Sequence, residues 1–180
     1  HPVETILANR YGDCKDHVAL LEALLAAAGI DSTPALVSLG NAYQLPKVPT
    51  LGVLNHAITY VPSLDLYLDS TAQDIAGGYL PLLVLDKPVV LSKTGTLGRT
   101  PGEQAGSVEN NTVFKVSKTG AADFTHTSRV IGWAAEINRY GMKSMTPTNR
   151  DQMIQQVLAS YGLNGTGKFD AGKLDGTGAD

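Results

Sequence analysis

The sequence predicts an α+β fold: a helix packed on an antiparallel sheet, followed by a smaller β-rich region with one or two helices. Three observations carry this. Val18 to Ala28 is an Ala- and Leu-rich run that ends at Gly29 and has the composition of a packed helix. Asn55–Val61 and Leu66–Asp69 read as the two strands of a hairpin around a Pro62–Asp65 turn. Farther on, Thr112–Val116 and Phe124–Ile131 read as two more strands, with apolar residues at helical spacing after them.

A chain of 180 residues supports one ordinary domain or two small ones. Its net charge of −3 is too mild to point to nucleic acid or to a charged membrane surface. No apolar run approaches the ~20 residues a spanning helix needs. The chain opens on His1-Pro2, without an initiator Met or a signal peptide, and is therefore read as an excised segment or mature fragment. The single cysteine excludes an internal disulfide and leaves one thiol to explain.

In chain order, Val3, Ile6 and Leu7 have helical spacing. The main helix is expected from Asp13 to Ala28, with Asp13 as N-cap, Asp16 completing a capping-box-like pair and Gly29 as the residue after the C-cap. It is apolar on nearly every side, which predicts a central, buried helix. Residues 31–39 alternate like a strand, and 40–52, with Pro46 and Pro49, is a loop. In simple register a two- or four-residue hairpin loop sets Ile58 opposite Asp69, so His56 and Asp69 share a face one step diagonal. A bulge or a three-residue loop would break that parity. Residues 70–88 carry turn signals around the apolar run Leu80–Leu85. Trp133, Ile137 and Tyr140 suggest a helix packed into a core. Thr148 to Asp151 reads as a capping box before Met153, Ile154, Val157, Leu158 and Tyr161. The expected organisation is a core over 1–88, a linker over 89–107, a β-rich and helical accessory region over 108–163, and a Gly-rich flexible tail over 164–180.

Cys14, His56 and Asp69 are the candidate catalytic residues. Cys14 falls in the first helical turn, where outward-pointing amides and the positive end of the helix dipole favour thiolate over thiol. A thiolate attacks a carbonyl, an imidazole returns the proton to the leaving group, and a carboxylate on the other ring nitrogen sets tautomer and orientation. Taken singly, each has a plainer reading: a small apolar residue at a helix start, a sheet histidine and a strand-end carboxylate.

The strings Gly12-Asp13-Cys14-Lys15-Asp16, Asn55-His56 and Leu68-Asp69-Ser70-Thr71, in this order and spacing, resemble the bacterial transglutaminase-like superfamily. The resemblance is closest to large bacterial proteins in which such a core follows an N-terminal β-rich domain. It covers residues 1 to about 85 and extends only loosely beyond, through Gly78-Tyr79-Leu80-Pro81. It implies a papain-like core, a nucleophile helix on an antiparallel sheet, with Cys14 as nucleophile, His56 as general base and acid, and Asp69 as orienting carboxylate. The implied activity is acyl transfer from a protein or peptide amide through a thioester, by a peptidase, amidase or crosslinking acyltransferase. A periplasmic or cell-envelope location is implied by the resemblance alone. Papain-like sites complete the oxyanion hole with a donor from chain before the nucleophile; here the N–H of Cys14 itself could provide one donor, and Asn9 is a weak candidate for another.

A second reading is a non-catalytic binding or assembly module of a larger envelope protein that keeps the same fold. A third, a redox-sensing thiol, lacks a second cysteine as resolving partner. Lys15 and Asp16 read as a solvated first turn, although Asp16 could also shape the pocket. His17 with Asp13 or His56 lacks the spacing of a metal site, and no cofactor is implied. Gly162 to Lys168 has phosphate-loop spacing, but Phe169 replaces the hydroxyl residue and a helix precedes it, so chance explains it better. Neither the acidic residues between Asp170 and Asp180 nor the two Asn-x-Thr triplets carry a functional reading.

Overall fold

The structure, a computed structural model, describes residues 1–40, 43–48, 50–172 and 174. It divides into two compact units, His1–Gln104 and Ala105–Asp180, and is α+β.

In the first unit, helix α1 (Val3–Asn9) ends at Arg10, whose φ is 51°. Helix α2 (Cys14–Ala27) begins with a full capping box. The Asp13 carboxylate accepts the amides of Lys15 and Asp16 at 2.9 and 3.1 Å, and the Asp16 carboxylate accepts the Asp13 amide at 3.2 Å. Gly12 lets the chain lie close on this cap, because a Cβ there would stand 2.5 Å from the Asp16 Cβ. At the other end Gly29, at φ 75°, donates to Ala26, and Ile30 donates back to Leu25. That is the paired closure a left-handed residue after the C-cap permits.

The expectation that α2 is buried on nearly every side is not met. Asp16 and Val18 are its buried residues, Leu20, Leu21 and Leu25 are half-buried, and Leu24 is 59% exposed. Composition says what a helix could bury; how much neighbouring chain lies over it is a tertiary matter. The main neighbours of α2 are β2 and α1.

The sheet has five antiparallel strands in the order β3-β2-β1-β4-β5: β1 (Thr33–Val37), β2 (His56–Val61), β3 (Leu66–Leu68), β4 (Pro88–Leu91) and β5 (Thr96–Arg99). Residues 89–107, expected as a linker, instead supply most of β4 and all of β5, and the unit runs on to Gln104. Each strand has only four residues, too few for alternation to declare itself, and the Gly95 turn between them (φ 68°) resembled loop chemistry. β4 pairs directly with β1, so it belongs to the middle of the sheet.

Alternate residues on one face of the sheet, Ala35, Val37, Ile58, Tyr67 and Val89, form the core with Leu80 and Val84 from the chain after β3. The sheet curls: a Cβ at Gly98 on one edge strand would lie 2.8 Å from the Tyr67 hydroxyl on the other. β2 is buried along almost its whole length, as a central strand covered on both faces must be.

In the second unit, β6 (Gly106–Val116) and β7 (Ala122–Gly132) form a two-stranded ribbon longer than the strands expected there. Phe114 and Phe124 stack at 5.1 Å across it, and Tyr161 meets both edge-on. Helix α3 (Trp133–Lys143) follows, then α4 (Pro147–Ser160). In α3, Trp133 and Ile137 are half-buried, but Tyr140 is 61% exposed, so the apolar stripe is only partly core. The capping box expected at Thr148–Asp151 does not start the helix. Thr146 is the N-cap, accepting the Asn149 amide at 3.2 Å, because Pro147 suits the first helical position with its set φ and missing N–H. Of the expected flexible tail, residues 164–172 and 174 carry no helix or strand, while Gln155 donates to the Gly165 carbonyl. Lys173 and residues 175–180 lie outside the described residues, as does Pro49 of the expected loop.

Candidate active site

Cys14 is the first residue of α2 and is half-buried. The cap leaves it in a particular state. Asp13 takes the amides of Lys15 and Asp16, and the His17 amide donates to the Asp13 carbonyl at 3.0 Å. The Cys14 amide is therefore the first-turn N–H with no acceptor among the described residues, beside the thiol of the same residue. The Asp13 carboxyl is held below its ordinary value, chiefly by the amide of Asp16. Asp16 does not belong to a solvated turn: it is 4% exposed, and the His1 ring nitrogen Nδ1 also approaches it, at 2.9 Å. Lys15 is exposed.

The second half of the site comes from strand register. Thr59 pairs with Leu68, Tyr60 with Tyr67 and Val61 with Leu66, around a four-residue turn that closes at Asp65 with φ 47°. Carrying that register one step on sets Asp69 opposite Ile58, so His56 and Asp69 share a face. Their side chains meet there: His56 Nε2 lies 2.9 Å from Asp69 Oδ2. Both are nearly sealed from solvent, at 7% and 4% exposure. The second carboxylate oxygen of Asp69 accepts the Thr71 amide at 3.0 Å and the Thr71 hydroxyl at 2.6 Å.

These partners decide the electrostatics. Burial alone would raise the Asp69 carboxyl. Hydrogen bonds from His56 and Thr71, with the charge of His56, outweigh it and hold the group below its ordinary value. A carboxylate only accepts, so Nε2 of a neutral His56 carries the proton. Nδ1, the lone-pair nitrogen, has no hydrogen bond among the described residues and is the one available as a base.

A hydrogen bond ties the first turn of α2 to the chain just after β3. His17, one turn after Cys14, donates from Nδ1 to the Ser70 carbonyl at 2.9 Å, next to Asp69 in the chain. The structure thus brings His56 and Asp69 together and fastens the first turn of α2 to the chain leaving β3. The Cys14 thiol makes no hydrogen bond among the described residues, and Asn9 is exposed at the end of α1. Thr71 and the His17–Ser70 contact were not singled out from the sequence. Asp69-Ser70-Thr71 did carry a signal for the first, because Asp side chains accept from the backbone two residues on.

Among the described residues no group of three or more His, Cys, Asp and Glu is placed to hold a metal ion, and no helix is long and apolar enough to cross a membrane. No protein-family model, curated protein or solved structure matches the chain.

Proposed function

We propose that this protein is a cysteine-nucleophile acyl-transfer enzyme with a papain-like, transglutaminase-like core, acting on protein or peptide amide bonds. The observation that carries the reading is the buried His56–Asp69 pair, braced by Thr71, with one imidazole nitrogen left open. Two further features support it: Cys14 at the first position of α2, and its amide without an acceptor among the described residues.

In the proposed reaction His56 Nδ1 takes the thiol proton. The thiolate attacks the amide carbonyl, forming a C–S bond, and the developing oxyanion turns to the Cys14 amide. Collapse breaks the C–N bond, and the imidazolium returns its proton to the leaving amine. Water or a second amine then attacks the thioester, with His56 taking the incoming proton; the C–S bond breaks and the imidazolium returns that proton to the Cys14 sulfur. Asp69 stays ionised and keeps the ring oriented. The two outcomes are peptidase or amidase in one case and crosslinking acyltransferase in the other; hydrolysis is the one proposed for this protein.

A second reading, a non-catalytic binding module, draws on the apolar surface that α1 and α2 leave open, where Leu7 is 57% and Leu24 59% exposed. A binding module has no need of a reactive thiol. The discriminating experiment is the alkylation rate of Cys14 against pH in wild type and His56→Ala. The enzyme reading expects rapid alkylation well below the free-thiol value of ~8.5, lost in His56→Ala. An ordinary thiol profile, the same in both, rejects it.

A further inference from the structure

We propose that His17 is a positioning residue that sets the nucleophile helix against the His56–Asp69 pair; this rests on the enzyme reading above. Cys14 and His17 are three residues apart on α2, a spacing that puts their Cβ atoms ~5–6 Å apart on one helix face. The His17 imidazole reaches 53 residues along the chain to donate to the Ser70 carbonyl, at 2.9 Å and partly buried. Ser70 lies between Asp69, which holds His56, and Thr71, which holds Asp69. One hydrogen bond therefore joins the helix turn bearing the thiol to the three-residue stretch that orients the base.

The chemistry fits the task. A carbonyl can only accept, so His17 Nδ1 must carry a proton whether the ring is neutral or charged. The tie therefore persists through a catalytic cycle in which His56 changes protonation. A planar ring also has few rotamers, so the distance it sets is well defined. Rate is sensitive to such placement: a displacement of ~1 Å can cost about 10²-fold.

The test uses the full chain as wild type, His17→Ala and His17→Asn, each checked by circular dichroism and thermal melting. Asn carries an N–H donor at its δ position and can remake the bond to Ser70. Two readouts are taken: the pH profile of Cys14 alkylation, and the ring ¹⁵N signals that report the tautomers of His17 and His56. We expect the alkylation rate in mildly acid solution to fall roughly 10–10²-fold in His17→Ala, with blurring of the single Nε2–H signature of His56. His17→Asn should recover most of both. Three results overturn the proposal: a folded His17→Ala with wild-type profile and His56 signals; a folded His17→Asn no better than His17→Ala; or a wild-type His17 neutral in the Nε2–H form. The last needs no variant and decides the matter even if His17→Ala does not fold. If the wild-type thiol shows no acid reactivity, the enzyme reading fails, and positioning is judged on the His56 ring signals alone.

Discussion

His56 Nε2, at the start of β2, and Asp69 Oδ2, one residue beyond β3, stand 2.9 Å apart, with both side chains almost wholly removed from solvent. A hydrogen bond to an ionised group in such a place is stronger than its exposed counterpart, and leaving either partner alone there is correspondingly costly.

Asp69→Asn should keep the shape and lose the orientation. An amide nitrogen facing Nε2 would turn the ring to its other tautomer and protonate Nδ1, the nitrogen proposed to take the thiol proton. The expected outcome is a drop of roughly 10²–10⁴ in acyl transfer to a peptide amide substrate, with the far-ultraviolet spectrum preserved. Activity within a few-fold of wild type would remove Asp69 from the mechanism.

The same carboxylate should make stability depend on acid. The folded Asp69 carboxyl sits below its ordinary value, so the folded protein releases this proton more readily than the unfolded chain. Its contribution is complete above the unfolded value of about 3.9 and is lost as pH falls through the folded value. In urea unfolding, the wild-type advantage over Asp69→Asn should therefore be largest near neutrality and shrink below about pH 4. A gap that widened in acid would reverse the sign of this linkage.

Thr71→Val removes the hydroxyl donor and keeps the backbone one, which holds the other half of the brace. The expected cost is ~1.5–3 kcal/mol, that of a hydrogen bond to a charged group, measured by denaturant unfolding. Thr71→Ser should restore most of it.

Gly12→Ala should be destabilising by about 1–3 kcal/mol, the usual scale of overpacking. The added methyl meets Asp16 Cβ at 2.5 Å and must push either the chain or the cap aside. Thermal melting reads the loss, and the alkylation profile of Cys14 should change with it, since the same cap places that residue. Equal stability to wild type would show that the approach relaxes freely.

The local devices were legible in the residues themselves. Asp13 and Asp16 cap α2, Gly29 closes it, and the Pro62–Asp65 turn sets the register that puts His56 and Asp69 on one face. These are decided by neighbours a few positions apart, through hydrogen-bond reach and the two-residue period of a strand. What the tertiary structure decided lay at longer range. The open side of α2 depends on how much chain reaches Leu24, which its apolar composition does not state. β4 and β5 enter the sheet because β1 offers β4 an edge, although four residues apiece carry too little pattern to announce a strand. His17 found Ser70 across 53 positions, a contact that only folding brings within hydrogen-bond distance.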